Sequence, residues 1–470
     1  MASTVLTWDP ASGSVTNKWT YSCWFKKSRN QTAMNLCSAT STVGGGITYT
    51  QIVINSDDTI SFFNSDGGST DGYLRTTGKY QDLNGWYHIV CVWDPTNGTT
   101  TDKMKMYING VEPSFGTDNA PSGNSTIGNT YVHALGCFDS NGDGTPNTEY
   151  LDGYMAQSVM ANGSILAVTT FGSFDGTTGE WKPKSDGEIR SAVTWSGNSW
   201  LLPFSNASNL GYDYQTSDRS GTTNDFTKAG EGYQTQANPS NNFCTWNSLY
   251  ETPGTGGTLD LNNPYGLTYF GTSNQQKNGL TGTLGLFGGK WYWEGKVVNP
   301  AGTSQGISGV VNTVDASKIQ QNNEFPGQNR GAGYSLVDGD TFVDGTQASY
   351  GNSLSKDDFF AIALDLDNKA MYFSKNGTWQ NSGDPTSGAT KTGAIDISAA
   401  IATGDLVLPT SGDGSGSQHT YTAWNFGDGY FKATGAGASN ADDNGQGIFK
   451  YDVPAGYYAI CTKNIKAYGG

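Results

Sequence analysis

The chain is poor in positive charge: 26 Lys and Arg stand against 42 Asp and Glu over 470 residues, a formal charge of −16. No Lys/Arg cluster overrules that average, so phosphate backbones and anionic lipid are repelled and nucleic acid is not an expected partner. Histidine is scarcer still, at 3 residues. His133 and His419 have no nearby Ser or Cys nucleophile pattern, and His88 lies inside an alternating strand as a structural residue, so no hydrolytic triad is supported. The six cysteines, Cys23, Cys37, Cys91, Cys137, Cys244 and Cys461, lack CxxC spacing. That argues against a zinc site or a dense disulfide framework and leaves buried free thiols. No apolar run approaches the roughly 20 residues that cross a bilayer, and Met1 to Trp8 lacks a basic stretch followed by an apolar one, so neither membrane insertion nor a signal peptide is expected. The Gly-rich stretches Gly44-Gly45-Gly46 and Gly254 to Gly257 precede no Lys-Ser/Thr and no helix, and read as turns rather than phosphate cradles.

What is abundant is glycine, 65 residues, and aromatic side chains, 12% of the chain against 14% charged residues. Many turns joining aromatic-rich strands describe an all-β protein with very little helix. The length suits two domains of about 200 residues. Large and polar residues alternate through Trp86-Tyr87-His88-Ile89-Val90-Cys91-Val92-Trp93-Asp94 and again through Lys103 to Gly110, where Asn109-Gly110 supplies turn chemistry; the pair predicts a β-hairpin. Further strands are predicted at Trp19 to Lys26, Tyr49 to Ile54, Thr59 to Phe63 and Tyr150 to Met160. Residues 205–258 carry turn formers and few strand patterns, so they read as a long connector, with aromatic residues available to drape it over a domain. Beyond it, Gly289 to Val297 alternates strongly, and Asp358 to Gly377 reads as strand, Asp-x-Asp-Asn turn, strand, Asn-Gly turn.

The strand ending Trp-Tyr-His-Ile-Val-x-Val-Trp-Asp and, after a loop, Lys-x-Tyr-Ile-Asn-Gly-Val, together with Tyr150-Leu151-Asp152-Gly153-Tyr154, resemble the laminin-G-like and pentraxin-like jelly rolls of the concanavalin A-like superfamily. The later run Gly289-Lys290-Trp291-Tyr292-Trp293-Glu294, the Asp365 to Asn368 turn and Asn425-Phe426-Gly427 resemble the SPRY domain. The resemblances imply an all-β architecture of two concanavalin A-like/SPRY-like jelly-roll β-sandwiches: a laminin-G-like domain over 1–204, a connector over 205–258 and a SPRY-like domain with a C-terminal tail over 259–470. This order, with Pro239-Ser240-Asn241-Asn242-Phe243 in the connector and Pro454 to Asn464 near the end, is similar to virion proteins of tailed phages that infect marine bacteria, a family of tail-fibre or structural type.

Candidate sites follow from residue chemistry. Asp139-Ser140-Asn141-Gly142-Asp143-Gly144 places oxygen side chains at alternate positions with a Gly at the bend, as in the first half of a calcium loop, and Asp139, Asn141 and Asp143 are the candidate Ca2+ ligands. The twelfth loop position is Tyr150 with Glu149 beside it, and an Asx-rich turn without metal is the competing reading. Concanavalin A-like folds include glycoside hydrolases, which need two carboxyls about 5 to 9 Å apart. Asp365 and Asp367 have i, i+2 spacing, but at a turn that Asp residues cap, and no Glu-x-Asp-x-x-Glu run occurs, so no catalytic residue is assigned. Met104 and Met106 read as core, as do Trp291 and Trp293 in preference to a sugar platform. Tyr131, Trp379 and Tyr430, on predicted loops, are the aromatic candidates for ligand contact.

The expected function is therefore recognition without catalysis: a protein on the surface of a phage particle, a tail fibre or appendage, that binds host-surface polysaccharide. It would be made in the host cytoplasm without a signal peptide and act as a homo-oligomer among other virion proteins, with avidity from many copies. The absence of a heptad stem disfavours a long coiled-coil shaft and raises the alternative of a capsid-decorating protein that binds neighbouring subunits. A glycan depolymerase and a cellular adhesin are the remaining alternatives, and the missing export signal counts against the last.

Overall fold

The computed structural model describes residues 4–11, 13, 18–43, 46–216, 224–247, 267–268, 278–299, 306–312, 330–413, 421–431 and 434–469. Among them the chain is all-β, with two seven-residue α-helices, α1 (Asp186–Ala192) and α2 (Thr462–Tyr468). It divides into two compact units, Met1–Gln234 with Asn238–Ser240, and Thr235–Ala237 with Asn241–Gly470.

Unit 1 opens with strands β1 (Val5–Trp8), β2 (Trp19–Lys27), β3 (Met34–Val43), β4 (Gly46–Ile54) and β5 (Ile60–Asp66). It continues with β6 (Ser69–Thr76), β7 (Tyr87–Trp93), β8 (Met104–Ile108), β9 (Phe115–Asn119), β10 (Val132–Leu135) and β11 (Gly153–Asn162). The short strands β12 (Gly172–Phe174), β13 (Trp181–Pro183), β14 (Trp200–Leu202) and β15 (Thr227–Ala229) complete it. An eight-stranded sheet runs β15-β1-β10-β3-β4-β5-β6-β9 and a five-stranded sheet runs β14-β11-β2-β7-β8. The core lies between them.

The period-2 rule explains β2. Trp19, Tyr21, Cys23 and Phe25 enter the central core with Ile89, Cys91, Trp93, Met104 and Met106. Yet every residue of β2 is buried, because the outer face of this sheet is covered too. Val90, Val159, Ala161 and Leu201 on that face pack against Phe171, Ile189 and Val193. Ile189 is delivered by α1, whose N-terminus is fixed by a capping box between Ser185 and Glu188. The expected β7–β8 hairpin forms, with Trp93 opposite Met104. Asn109 and Gly110 take φ of 49° and 80°, turning the chain after β8.

Unit 2 contains β16 (Leu267–Thr268), β17 (Asn278–Thr281), β18 (Lys290–Asn299), β19 (Gly306–Asn312), β20 (Gly331–Ser335), β21 (Asp340–Val343) and β22 (Thr346–Ser349). After these come β23 (Phe359–Asp365), β24 (Ala370–Lys375), β25 (Thr378–Trp379), β26 (Ile395–Asp396), β27 (Val407–Asp413) and β28 (Tyr421–Asn425). Last are β29 (Tyr430–Phe431), β30 (Thr434–Gly435) and β31 (Tyr458–Ala459). One sheet follows β16-β28-β18-β23-β24-β25 with β26 and β31 attached, the other β17-β27-β19-β20-β21-β22. Trp291 and Trp293 are wholly buried in the core with Phe360, Ile362, Phe373 and Trp424, so they pack rather than present a platform. On the outer face of the β18 sheet, Tyr292, Ala361, Ala363 and Tyr372 are sealed by Phe449, Tyr457, Ala459 and Cys461.

The expected connector is corrected. In its described part, residues 205–234 belong to unit 1: Phe226 enters the core beside Trp8 and Trp200, and the buried Asp213 carboxylate accepts the Leu201 and Asn224 amides, both at 2.8 Å. Residues 241–247 belong to unit 2, where the Trp246 ring meets Trp424 at 5.1 Å and Phe426 at 5.2 Å. The boundary at Phe204 therefore moves to Gln234. Single aromatic side chains inserted without a strand period hold this stretch down, and burial of each large ring contributes on the order of 2 kcal/mol.

All six cysteines are free and buried, as the sequence spacing implied. No described helix is long and apolar enough to cross a membrane.

Candidate functional site

The outward face of the eight-stranded sheet in unit 1 differs from the two covered outer faces just described. Ile52 and Ile54 on β4, Ile60 and Phe62 on β5 and Leu74 on β6 point into the core. Alternation then turns Tyr49, Gln51, Phe63 and Tyr73 outward. Register does the rest: Gln51 pairs with Phe63, and Phe63 with Tyr73. The result is a row of rings across three strands, with Tyr49 to Phe63 at 5.5 Å and Phe63 to Tyr73 at 5.1 Å. Phe138, from the loop after β10, extends it with a 5.0 Å edge contact to Tyr49. All four rings are half-buried.

The loop that carries Phe138 is tied to β3 at both ends, by Gly136 N–H to Leu36 O at 3.3 Å and Asn35 N–H to Glu149 O at 2.7 Å. Glu149 sits at φ 53°, a left-handed conformation that is uncommon for this residue and costs about 1 kcal/mol or more. Its carboxylate accepts a short hydrogen bond from the Gln51 side-chain amide, the single side-chain partner among the described residues. Burial pushes the Glu149 carboxyl above its ordinary range, with Gln51 opposing. Burial likewise raises the Tyr49 phenol, and the Glu149 charge adds to it. At the other end of the row, Arg75, two residues from Tyr73 on the same strand face, donates to Asp57 at 2.7 Å and to Thr59 at 3.1 Å. Half-exposed rings flanked by an amide, a carboxyl and a guanidinium can stack on apolar ring faces and hydrogen-bond hydroxyl groups.

The candidates read from the sequence fall elsewhere. Asp139 is buried, and its Oδ1 accepts the Asn141 and Gly142 amides at 3.1 and 2.8 Å while Oδ2 accepts Gly144 N–H at 2.8 Å. Asp143 accepts Thr145 N–H at 2.8 Å. Backbone N–H groups thus point at the Asp139 and Asp143 oxygens that a cation would use. The loop is an Asx turn that carries Phe138.

Tyr131 belongs to unit 1 and Trp379 and Tyr430 to unit 2. Tyr131 contributes its backbone carbonyl to His133. The Trp379 ring packs at 6.5 Å on Tyr372, and Tyr430 starts β29. Trp379 and Tyr430, expected on loops, lie in β25 and β29, and sequence reasoning did not single out the row that register assembles.

Asp365 is buried, pairs with Lys290 at 3.1 Å and accepts Asn368 N–H at 2.9 Å, while Asp367 accepts Gly289 N–H at 2.8 Å. Both serve the turn. His88 is buried with Ser22 Oγ 2.8 Å from its Nε2, yet Trp181 Nε1–H donates to its Nδ1 at 3.0 Å. Nε2 therefore carries the proton and donates to Ser22, the reverse of what a general base needs; burial lowers the His88 pKa to about 3. His133 accepts Gly128 N–H on Nε2 and donates from Nδ1 to Tyr131 O, and burial lowers its pKa to about 4. His419 lies outside the described residues.

Residues 2–157 match the family described as the concanavalin A-like lectin/glucanases superfamily. This stretch is about a third of the chain and includes every residue of the aromatic row. No curated protein matches the chain. Among solved structures, the SPRY domain of human HERC1 is 14% identical with a TM-score of 0.29, covering 38% of this chain and 96% of that one. The heptameric SAP-like pentraxin of Limulus polyphemus is 17% identical with a TM-score of 0.28, covering 35% and 72%. A human SPRY domain is 13% identical with a TM-score of 0.26, covering 36% and 96%.

Proposed function

We propose that the chain is a non-enzymatic surface protein of a phage particle, a tail fibre or appendage, that recognises host-surface glycan through the aromatic row of unit 1. The observation that carries this reading is the run Phe138, Tyr49, Phe63, Tyr73: rings held 5.0 to 5.5 Å apart across neighbouring strands and left half-exposed. The fold matched over residues 2–157 includes lectins and glucanases alike. Glycoside hydrolysis places two carboxyls about 5 to 9 Å apart across the bond. Glu149 is instead held by an amide, which favours binding over cleavage. A shallow platform binds one sugar chain weakly, so display in many copies, as a homo-oligomer among other virion proteins, supplies the strength.

Two measurements on purified particles test the proposal. Cryo-EM or antibody-gold labelling should place the chain at the tail, and a glycan array should find host polysaccharide that it binds without cleaving. Density over the capsid lattice with no glycan affinity would replace adhesion by capsid decoration, and shortening of the polysaccharide would make the protein a depolymerase.

A further inference from the structure

Unit 2 holds a second constellation, independent of the aromatic row. Glu294 on β18 is wholly buried, and four donors converge on its carboxylate. Oε2 accepts Lys450 N–H at 2.9 Å and the Asn425 side-chain amide at 3.3 Å; Oε1 accepts Tyr451 N–H at 2.9 Å and the Tyr292 hydroxyl at 3.0 Å. A buried carboxylate is unfavourable unless it is fully hydrogen-bonded. Two of these four bonds fix the backbone of Lys450 and Tyr451.

From that fixed position the Lys450 ammonium stands 4.4 Å from the centre of the Phe359 ring and 5.7 Å from that of Tyr451. Lys296 approaches the same Phe359 ring at 5.5 Å. Two ammonium groups on one ring repel each other. The neighbouring charges are otherwise paired: Lys296 with Asp357 at 2.9 Å and Lys375 with Asp358 at 3.1 Å. Asp452 follows Tyr451 and is exposed to solvent. Lys450 forms no ion pair with any described residue. Phe431, 5.0 Å from Phe359, backs the ring, and Gly377 passes close to Tyr451, where a side-chain carbon would stand 2.8 Å from the Tyr451 ring.

We infer that Lys450, flanked by Phe359 and Tyr451, binds the anionic group of an acidic polysaccharide, a uronate carboxylate or a sulfate half-ester. A pre-positioned ammonium beside aromatic rings suits a charged substituent on a sugar ring, since the charge is met by the lysine and the ring's apolar face by the aromatic edge.

Calorimetric titration of the full chain with a galacturonate oligomer, a sulfated galactan oligomer and a neutral glucan of equal length tests this. At least one anionic oligomer should bind more tightly than the neutral one, with affinity falling as salt rises. Lys450→Gln should weaken that binding roughly tenfold, the worth of one charge-assisted hydrogen bond, while Lys450→Arg keeps it and both variants stay folded. Whichever anionic oligomer prevails identifies the group recognised. Equal affinity for anionic and neutral oligomers, or unchanged binding by Lys450→Gln, would overturn the assignment. So would loss of anionic binding in Tyr49→Ala/Phe63→Ala, which would place the ligand on the row of unit 1; loss of neutral-glycan binding alone in that variant leaves the Lys450 site standing.

Discussion

The two units treat one outer sheet face alike and differ at another in unit 1. Each packs two sheets around an aromatic core, and each covers an outer sheet face with chain that follows the sandwich: residues around α1 in unit 1, and the stretch from Phe449 to Cys461 in unit 2. What differs is the remaining outward face of unit 1, over which the loop bearing Phe138 extends a row of half-exposed rings instead of sealing them. Outward-facing aromatic side chains are thus sealed in one place and left half-exposed in another, and what lies over them decides which.

The sharpest way to break the comparison is to truncate both kinds of ring. Phe449→Ala removes a fully buried ring in edge contact with Tyr292 at 5.0 Å and should lower the stability of unit 2 by about 3 to 5 kcal/mol in denaturant titration. An effect under about 1 kcal/mol would show that the C-terminal stretch does not seal the sheet.

The next contrast is in acid. Glu294 has its pKa raised to about 7 by burial, its four hydrogen bonds opposing, so its contribution is full below its unfolded value near 4.5 and lost as pH rises through 7. Unit 2 should therefore gain stability from pH 8 to pH 5, by on the order of 3 kcal/mol. His88 and His133 are held neutral by burial, with pKa values of about 3 and 4, so their contribution is present above 6.5 and lost as pH falls. Unit 1 should lose stability over the same interval, the loss being offset in part because Glu149, Asp152 and Asp213 are raised by burial and pull the other way. Differential scanning calorimetry at the two pH values should show the transitions moving in opposite directions, and Glu294→Gln should flatten the slope of unit 2.

Smaller still, Phe63→Ala on the open face should cost about 1 kcal/mol or less, the worth of a cross-strand pair. At the bottom of the scale, millimolar calcium should leave the melting temperature of unit 1 within about 1 °C, because backbone N–H groups already occupy the Asp139 and Asp143 oxygens. A rise of several degrees would reinstate Asp139, Asn141 and Asp143 as ligands.

How much of this was legible depended on whether one segment carried the signal. β2, β7, β18 and the β23–β24 pair each alternate within a single run, and Asp365 was readable as a turn cap because Asn368 lies three residues on. The connector was misread because Phe226, Phe243 and Trp246 insert one at a time, with no period to mark them. The aromatic row was illegible because its rings come from four segments that only register brings together. The adjacent pair Phe62-Phe63 held a clue: with Phe62 inward, Phe63 has to point out. Glu294 escaped notice because its partners at Asn425, Lys450 and Tyr451 are far along the chain.

The most direct test of the central claim is calorimetric titration of a host-surface glycan that the protein binds into the intact chain and into Tyr49→Ala/Phe63→Ala/Tyr73→Ala. The account predicts that the variant stays folded, with its melting transition lowered by only a few degrees, and loses at least tenfold in affinity. Unchanged affinity in a folded variant would contradict it and move recognition off the outward face of unit 1.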